Sequence, residues 1–597
     1  MVLLENFKGF GKIKRVGLLF GAILLWSVST QAQAYVQNQE GLDRIKKTPL
    51  ETIYAQTNTS LAMPGEYVYF SIYCLNAVTH RLSDISKVGY IELIDAQGQS
   101  LIQQRIRLKK GLGKGELFIP TSFGSGNYKL IAYTHWMLNA GIEQLYQKDL
   151  VIVNPYQGSP ENFTSNDTTF TSVAPEAIPS SLVGIDNNKG NYGPREKIAL
   201  TLRPLKSKLS VGSYTLSVRE LAPEMAPPTQ AFTEKAQNRG QLKKYVDAEL
   251  GSFVFIPETR GALVAKKVTY KDTGEPVKNQ KVLLSLPGTE FGVMESETNE
   301  TGVFFSYVRK AYDTDRLVVQ LADTTKQGLV LTDIRLDKKP SFENLTFSDY
   351  KVSPSDKTWI LSRSVANQIE NAYIGDKKDT LNQIPVSGDY ANYEIETYLL
   401  DDYNRFPTVK ESLIEVVPHV GVKIDKKWHH TIWIRENYKS GKFDGYVNLP
   451  PLIYIDGVLV FDVKKVLEFD AEKVKSIGFT RERLQLGGKT YKGALFITTK
   501  SGDYNEIIRH FDLSAAEYPK PLPEKRYYQQ AYGKDPEKEK RIPDFRRQLF
   551  WKTHISLAQD ENIEFFSSDA KGTYELRLEG FTDYGKPVTM TSYFEVK

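Results

Sequence analysis

Residues 51–76 read ETIYAQTNTSLAMPGEYVYFSIYCLN: a short strand-like run, the turn signal Met63-Pro64-Gly65, and a second run with apolar Val68, Phe70 and Ile72 at every other position. Strand side chains point to opposite faces in turn, so this period of two describes half-buried β-structure. VGYIELID, SLIQQRIRL, GELFIP and GNYKLIAYTHW follow at close spacing. Together they predict an antiparallel sandwich over residues 45–155.

The chain's 597 residues exceed a single hydrophobic core, and at roughly 100–200 residues per domain they imply about four to six units. Hydrophobic residues at 41% and charged residues at 25% describe folded globular material, and 34 Tyr with 29 Phe favour strands. The fold class expected is mainly β, as tandem sandwiches.

At the N-terminus Lys8, Lys12, Lys14 and Arg15 precede the apolar run Val16 to Val28 and then Ala32-Gln33-Ala34. A basic region, a short apolar region and an A-x-A site describe a secretory signal peptide over residues 1–34. Its removal leaves 73 basic and 71 acidic residues, so a nucleic-acid partner is not expected. No other run is long and apolar enough for a transmembrane segment. The single cysteine, Cys74, excludes an internal disulfide and reads as a small buried hydrophobe. With no cysteine at the cleavage site, a lipoprotein is not expected.

Residues 156–181 are rich in Ser, Thr, Asn and Pro, the composition of a linker. Beyond it, NYGPREKIALTLRP (Asn191 to Pro204) repeats the turn, glutamate and alternating strand of the first unit, and GSYTLSVREL (Gly212 to Leu221) repeats GNYKLIAYT. A second sandwich of the same design is expected over residues 182–258. The pair resembles the immunoglobulin-like, macroglobulin-like domains of exported Bacteroidetes proteins. Pro64-Gly65-Glu66, the aromatic strand Tyr67 to Phe70, and Gly126 through Trp136-Met137 carry that resemblance. Protease-trapping macroglobulins use a Cys-Gly-Glu-Gln thioester, whereas Cys74 precedes Leu75-Asn76, which excludes covalent trapping.

Residues 259–338 hold strand runs closed by the turns Thr273-Gly274-Glu275-Pro276 and Glu300-Thr301-Gly302. The pattern resembles the carboxypeptidase-regulatory-like sandwich, which implies no peptidase activity. Residues 339–400 are expected to be a connecting β segment.

Residues 401–510 change character. Thr408 with Glu411 forms a capping-box signature before Leu413, Ile414, Val416 and Val417, predicting a short helix. LIYIDGVLV (Leu452 to Val460) reads as strand, turn at Asp456-Gly457, and strand. DVKKVLEFD and DAEKVKSI read as brief helices, and GALFITTKSG as a buried strand. Pro451 to Val458, Asp470 to Ile477, Gly487-Gly488 and Gly493 to Gly502 resemble the plug domain of TonB-dependent receptors of the starch-utilisation type. Such a receptor needs about 22 membrane strands of roughly ten residues, and only 87 residues follow His510. The resemblance therefore implies a small α+β, plug-like unit without a barrel of its own.

Residues 511–597 alternate again, with RIPDFRRQLFW (Arg541 to Trp551) and turns at Ala570-Lys571-Gly572 and Asp583-Tyr584-Gly585. They resemble the closing sandwich of the same exported proteins. KRYYQQAYGKDPEKEKR (Lys525 to Arg541) mixes Tyr with basic residues, which suits either a solvated connector or a partner-binding arm. The candidate interaction residues are Asp456 and Gly457 at the plug-like turn, with Tyr527, Tyr528, Arg546 and Trp551 near the C-terminus.

No catalytic, cofactor or metal residues are assigned. LQLGGKTYKG carries Arg483 where a phosphate loop needs glycine. His429 and His430 sit on a strand-like run whose neighbours face opposite ways. The expectation is a non-catalytic protein, exported to the periplasm or cell surface and peripheral to the outer membrane. It would dock through the plug-like unit and sandwiches onto an outer-membrane barrel protein or transporter component. The alternative is a soluble receptor handing a glycan or peptide to such a transporter.

Overall fold

The computed structural model describes residues 34–36, 38–158, 177–187, 189–221, 242–310, 312, 314–322, 328–333, 340–353, 356–381, 390, 393–424, 430–435, 449–486, 488–533 and 535–597. The signal-peptide reading apart from Ala34, most of the 156–181 linker, His429 and Gly487 lie outside them. Among the described residues no helix is long and apolar enough to cross a membrane.

The chain is mainly β. In the first sandwich Tyr67–Asn76 lies between Glu51–Thr57 and Leu112–Phe118 in a three-stranded sheet. A five-stranded sheet runs Leu61–Ala62, Tyr146–Ile152, Gly126–Tyr133, Val88–Ile94 and Ser100–Arg107. Phe70, Ile72, Ile91, Leu93 and Ile131 fill the space between the layers. Gly65 takes φ +86°, which its turn requires and a side chain resists.

The second and the C-terminal sandwich, expected as separate units, are one. Lys197–Pro204 lies between Val183–Asn187 and Glu561–Phe566 in a three-stranded sheet. Gly212–Glu220 lies between Gln548–Ser556 and Gly572–Thr582 in a five-stranded sheet, with Gln548–Ser556 outermost. Neither segment has enough strands to close two layers alone, and pairing removes most of the edges each would expose. Tyr214, Leu216, Val218, Tyr574 and Leu576 form the shared core.

The unit expected at residues 259–338 is a sandwich of Ala262–Tyr270, Val303–Val308 and Leu329–Asp333 over Gly292–Glu297, Lys281–Leu286 and Arg316–Leu321. Ser514–Glu517 returns from far along the chain to pair with Arg316–Leu321. The C-terminal segment thus completes two units.

Between these strands sits the α+β unit. Its five-stranded mixed sheet is ordered Glu396–Leu399, Val474–Leu486, Lys489–Thr499, Leu452–Ile455 and Val458–Leu459. Leu452–Ile455 runs parallel to residues 494–497, so the unit is not an antiparallel sandwich. Helices Val409–Glu415, Val463–Leu467 and Tyr504–His510 cover it, the first with both arms of its capping box made. Ile453, Ile455, Ile477, Phe479, Leu495 and Leu413 form its core, which extends to Val318 of the neighbouring sandwich.

Residues 339–400 depart from the β segment expected there. Among the described residues they contain the helix Lys357–Ala372, with strand only at Thr380–Leu381 and Glu396–Leu399. The helix buries a mixed face: Ile360 and Ala366 are buried along with Arg363 and Ser364, whereas Leu361 and Val365 are 51% and 55% exposed. Polar residues among the buried ones blur the apolar period that a sequence reading looks for.

Candidate functional site

The six residues singled out in the sequence separate into two places. Asp456 and Gly457 take φ +47° and +79° in the turn between Leu452–Ile455 and Val458–Leu459. Paired positive φ values are those of a tight hairpin turn, which is why Asp-Gly stands there. The Asp456 carboxylate accepts from Thr499 N at 2.8 Å and Thr499 Oγ1 at 2.6 Å. Burial raises its affinity for a proton, and the Thr499 bonds oppose that. Gly288 N donates to Asp456 O at 3.1 Å, and a Cβ on Gly457 would stand 2.6 Å from both Gly288 O and Phe291 Cβ. This turn is packed against the adjoining sandwich of the same chain. The structure thus places these two candidate interaction residues at a contact within the chain.

Tyr527, Tyr528, Arg546 and Trp551 do converge, on a cleft of about 440 Å³. Its walls come from the Gly65–Tyr69 region of the first sandwich, from the helix and the residues that follow it, and from residues 525–528 and 545–551. Alternation along Gly212–Glu220 turns Arg219 toward the cleft. Tyr214, Leu216 and Val218 enter that sandwich's own core, so Thr215, Ser217 and Arg219 take the opposite face. That face meets the first sandwich: Tyr73 Oη and Thr215 Oγ1 are 2.7 Å apart, and Asn58 Nδ2 donates to Gln548 Oε1 at 3.0 Å.

The helix is fastened by polar residues at helical spacing. Arg363 grips Glu66 with two bonds, Nε to Oε1 at 2.7 Å and Nη2 to Oε2 at 2.6 Å. Asn367 Nδ2 donates to Pro64 O at 2.6 Å, and Asn371 Nδ2 to Gly65 O at 3.2 Å. Burial alone would raise the Glu66 carboxyl, but Arg363 and Arg219 hold it below its ordinary value.

Rings line the other side. Tyr69 stands edge-on to Tyr527 at 4.7 Å and stacks with Trp551 at 6.1 Å and 25°. Burial, with Asp379 and Glu116 nearby, pushes the Tyr69 hydroxyl well above its ordinary pKa; burial and Glu116 do the same for Tyr527. Both stay neutral. Tyr528 N donates to Asp379 Oδ1 at 2.8 Å and its hydroxyl to Gln530 Oε1 at 2.8 Å. Arg546 binds Asp544 through two bonds of 2.7 Å, so it braces the wall.

The sequence reading named Trp551 but missed Arg219 and Arg547. Trp551 is 5% exposed, and its Nε1 is buried with no hydrogen-bond partner, as is Arg547 Nε. Arg219 approaches Glu66 at 3.6 Å, and no hydrogen bond to its guanidinium is found among the described residues. Burial and neighbouring Arg363, with Arg547 adding to them, pull its pKa down to about 10. Only pairing across the chain reveals these positions, since Arg219 sits in an otherwise ordinary alternating strand.

The cleft offers donors and ring faces. Among the described residues, no group of three or more His, Cys, Asp or Glu is arranged to hold a metal. A serine–histidine contact exists elsewhere, Ser71 Oγ to His554 Nε2 at 3.4 Å, but Ser71 is wholly buried and no substrate reaches it.

No protein-family model matches the chain, and no curated protein matches it. Among solved structures it is similar to Salmonella alpha-2-macroglobulin reacted with methylamine, at 9% identity and TM-score 0.22, over 95% of this chain and 41% of that one. It is similar also to Escherichia coli alpha-2-macroglobulin activated by porcine elastase, at 10% identity and TM-score 0.21, over 92% and 43%. Dimeric latent PorU from Porphyromonas gingivalis matches at 10% identity and TM-score 0.14, over 48% and 34%. The chain thus spans less than half the length of each. Scores at this level carry no argument, and the mainly β assignment rests on the strand ladders above.

Proposed function

We propose that the protein is a non-catalytic, exported binding protein of the cell envelope, and that the cleft between the first sandwich, the helix and the composite sandwich holds a ligand or a segment of a partner. The observation that carries this reading is the pairing of an unsatisfied buried donor with a ring-lined opening. Trp551 Nε1 faces a cost that a bound acceptor would remove, and Arg219 beside it is paired only at 3.6 Å, with a Glu66 that Arg363 already binds. A pocket with a few convergent polar groups is the ordinary form of a binding site. The plug-like resemblance and the export signal read in the sequence support an outer-membrane setting, with a barrel protein or transporter component as the partner.

Docking onto such a membrane partner through the α+β unit has its own support. Tyr403, Ile414, Ile424 and Trp433 are 44%, 55%, 45% and 39% exposed on that unit. Exposed apolar side chains in number mark contact surfaces. With the Asp456-Gly457 turn occupied internally, docking would use these residues instead.

A photo-crosslinking residue at exposed Lys378 on the cleft rim, and another at Ile414, test the two contacts in intact cells. The cleft reading predicts an adduct from position 378, and the docking reading predicts an outer-membrane protein attached at 414. A folded, exported chain that gives no adduct at 378 removes the cleft reading. One that gives none at 414 removes the docking.

A further inference from the structure

We propose that the cleft takes the C-terminal end of an extended peptide, its terminal carboxylate on Arg219, its last side chain among Tyr69, Tyr527 and Trp551, and its backbone along the outer edge of Gln548–Ser556. The inference rests on the cleft being a binding site, and goes on to name what it binds.

Charge gives the carboxylate. The other guanidinium groups in the cleft are already engaged: Arg363 by Glu66, Arg546 by Asp544 and Arg547 by Glu220. Lys377 is held by Glu370, and Lys525 by Glu116. Glu66 gives both oxygens to Arg363, so Arg219, 3.6 Å away, has only second call on it. A guanidinium that is 13% exposed and shares its nearest carboxylates, Glu66 with Arg363 and Glu220 with Arg547, can still take another, because its planar fork donates two parallel bonds. Lys378, exposed on the rim, carries a further positive charge toward an arriving anion.

Backbone topology gives the peptide. Gln548–Ser556 is the outermost strand of its five-stranded sheet, and residues 548–551 line the cleft. An extended chain that adds to such an edge gains main-chain hydrogen bonds, and alternate side chains enter pockets. Cross-strand pairing aligns the two anchors: Arg219 is opposite Gln548 and Ser217 is opposite Trp551. The charged end and the ring-lined seat therefore lie on one face within a few residues of each other. An acidic sugar would use the carboxylate and ring but leave the strand edge idle.

The test uses the full mature chain and three probes: acetyl-Ala-Ala-Phe with a free carboxylate, its C-terminal amide, and digalacturonate. Binding is followed by tryptophan fluorescence and calorimetry. The free acid is expected to bind at millimolar concentration or better, with the amide weaker by about tenfold or more. Arg219→Met should erase that preference for the acid. Tyr527→Ala, which leaves every guanidinium in place, should weaken acid and amide alike. Equal binding of acid and amide to the unmodified chain overturns the proposal, as does no binding of either. So does an Arg219→Met chain with unchanged amide exchange elsewhere that still prefers the acid. Binding of digalacturonate alone overturns it in favour of an acidic glycan. An adduct at position 378 in cells, together with failure of the acid probe, leaves the binding reading standing and discards only the ligand class.

Discussion

Replacing Arg363 with methionine should free the helix Lys357–Ala372 from the first sandwich while leaving both sandwiches folded. Arg363 is 3% exposed and Glu66 13%, and their two-bond pair is the central fastening of that helix. Removing one partner of a buried pair leaves an uncompensated charge, at a cost of about 3–5 kcal/mol. Arg219 partly screens Glu66, so the lower end applies. Because this loss falls on one element, local hydrogen exchange reports it better than a global melt. At about 3 kcal/mol the amides of residues 360–372 should exchange roughly 100-fold faster than in the unmodified chain. Strand Gly126–Tyr133 should be unaffected. Adding Glu66→Gln removes the stranded charge, and the double variant should recover about 1 kcal/mol or more. Helix exchange within about twofold of normal in Arg363→Met would refute the proposed fastening.

Gly457→Val should loosen the α+β unit from its neighbouring sandwich. The new side chain must hold φ +79° and meet Gly288 O at 2.6 Å; a loss of about 2–4 kcal/mol should appear as faster proteolysis near residues 288–291, and unchanged proteolysis counts against the seating. Burial pushes the Glu258 carboxyl up to about 7 from an ordinary 4.5, so the folded chain keeps a proton that the unfolded chain releases between those values. Stability from this group is whole below pH 4.5 and is lost as pH rises to 7. The advantage of Glu258→Gln over the unmodified chain should therefore grow by about 3 kcal/mol across that window in denaturant unfolding, and a constant difference would contradict it. Cys74 is wholly buried and burial raises its thiol well above the ordinary value. It should resist maleimide at pH 8 until the first sandwich opens, and rapid labelling of the native chain would contradict its place in the core.

Local chemistry was legible in the sequence; distant pairing was not. The Thr408–Glu411 capping box, the turn at Pro64-Gly65, the hairpin turn at Asp456-Gly457 and buried Cys74 are each decided within a few residues, and each stands as read. The composite sandwich joins Gly212–Glu220 to strands that begin at Gln548, and alternation specifies which face of a strand is apolar without naming its partner. Nor does alternation say that the polar face carrying Ser217 and Arg219 meets a second sheet instead of water. The Lys357–Ala372 helix escaped because Arg363, Asn367 and Asn371, spaced by four, share the docking with apolar Ile360. Tyr527, Tyr528, Arg546 and Trp551 were marked by composition alone. These four line one cleft, but composition could not tell bracing Arg546 from unsatisfied Trp551.

The most direct measurement is an experimental density map of the mature chain purified from its own envelope under conditions that keep its ligand or partner attached. The account predicts added density in the cleft, within hydrogen-bonding distance of the Arg219 guanidinium and against the Trp551 ring. An empty cleft in a preparation whose bound partner sits on another face would contradict it.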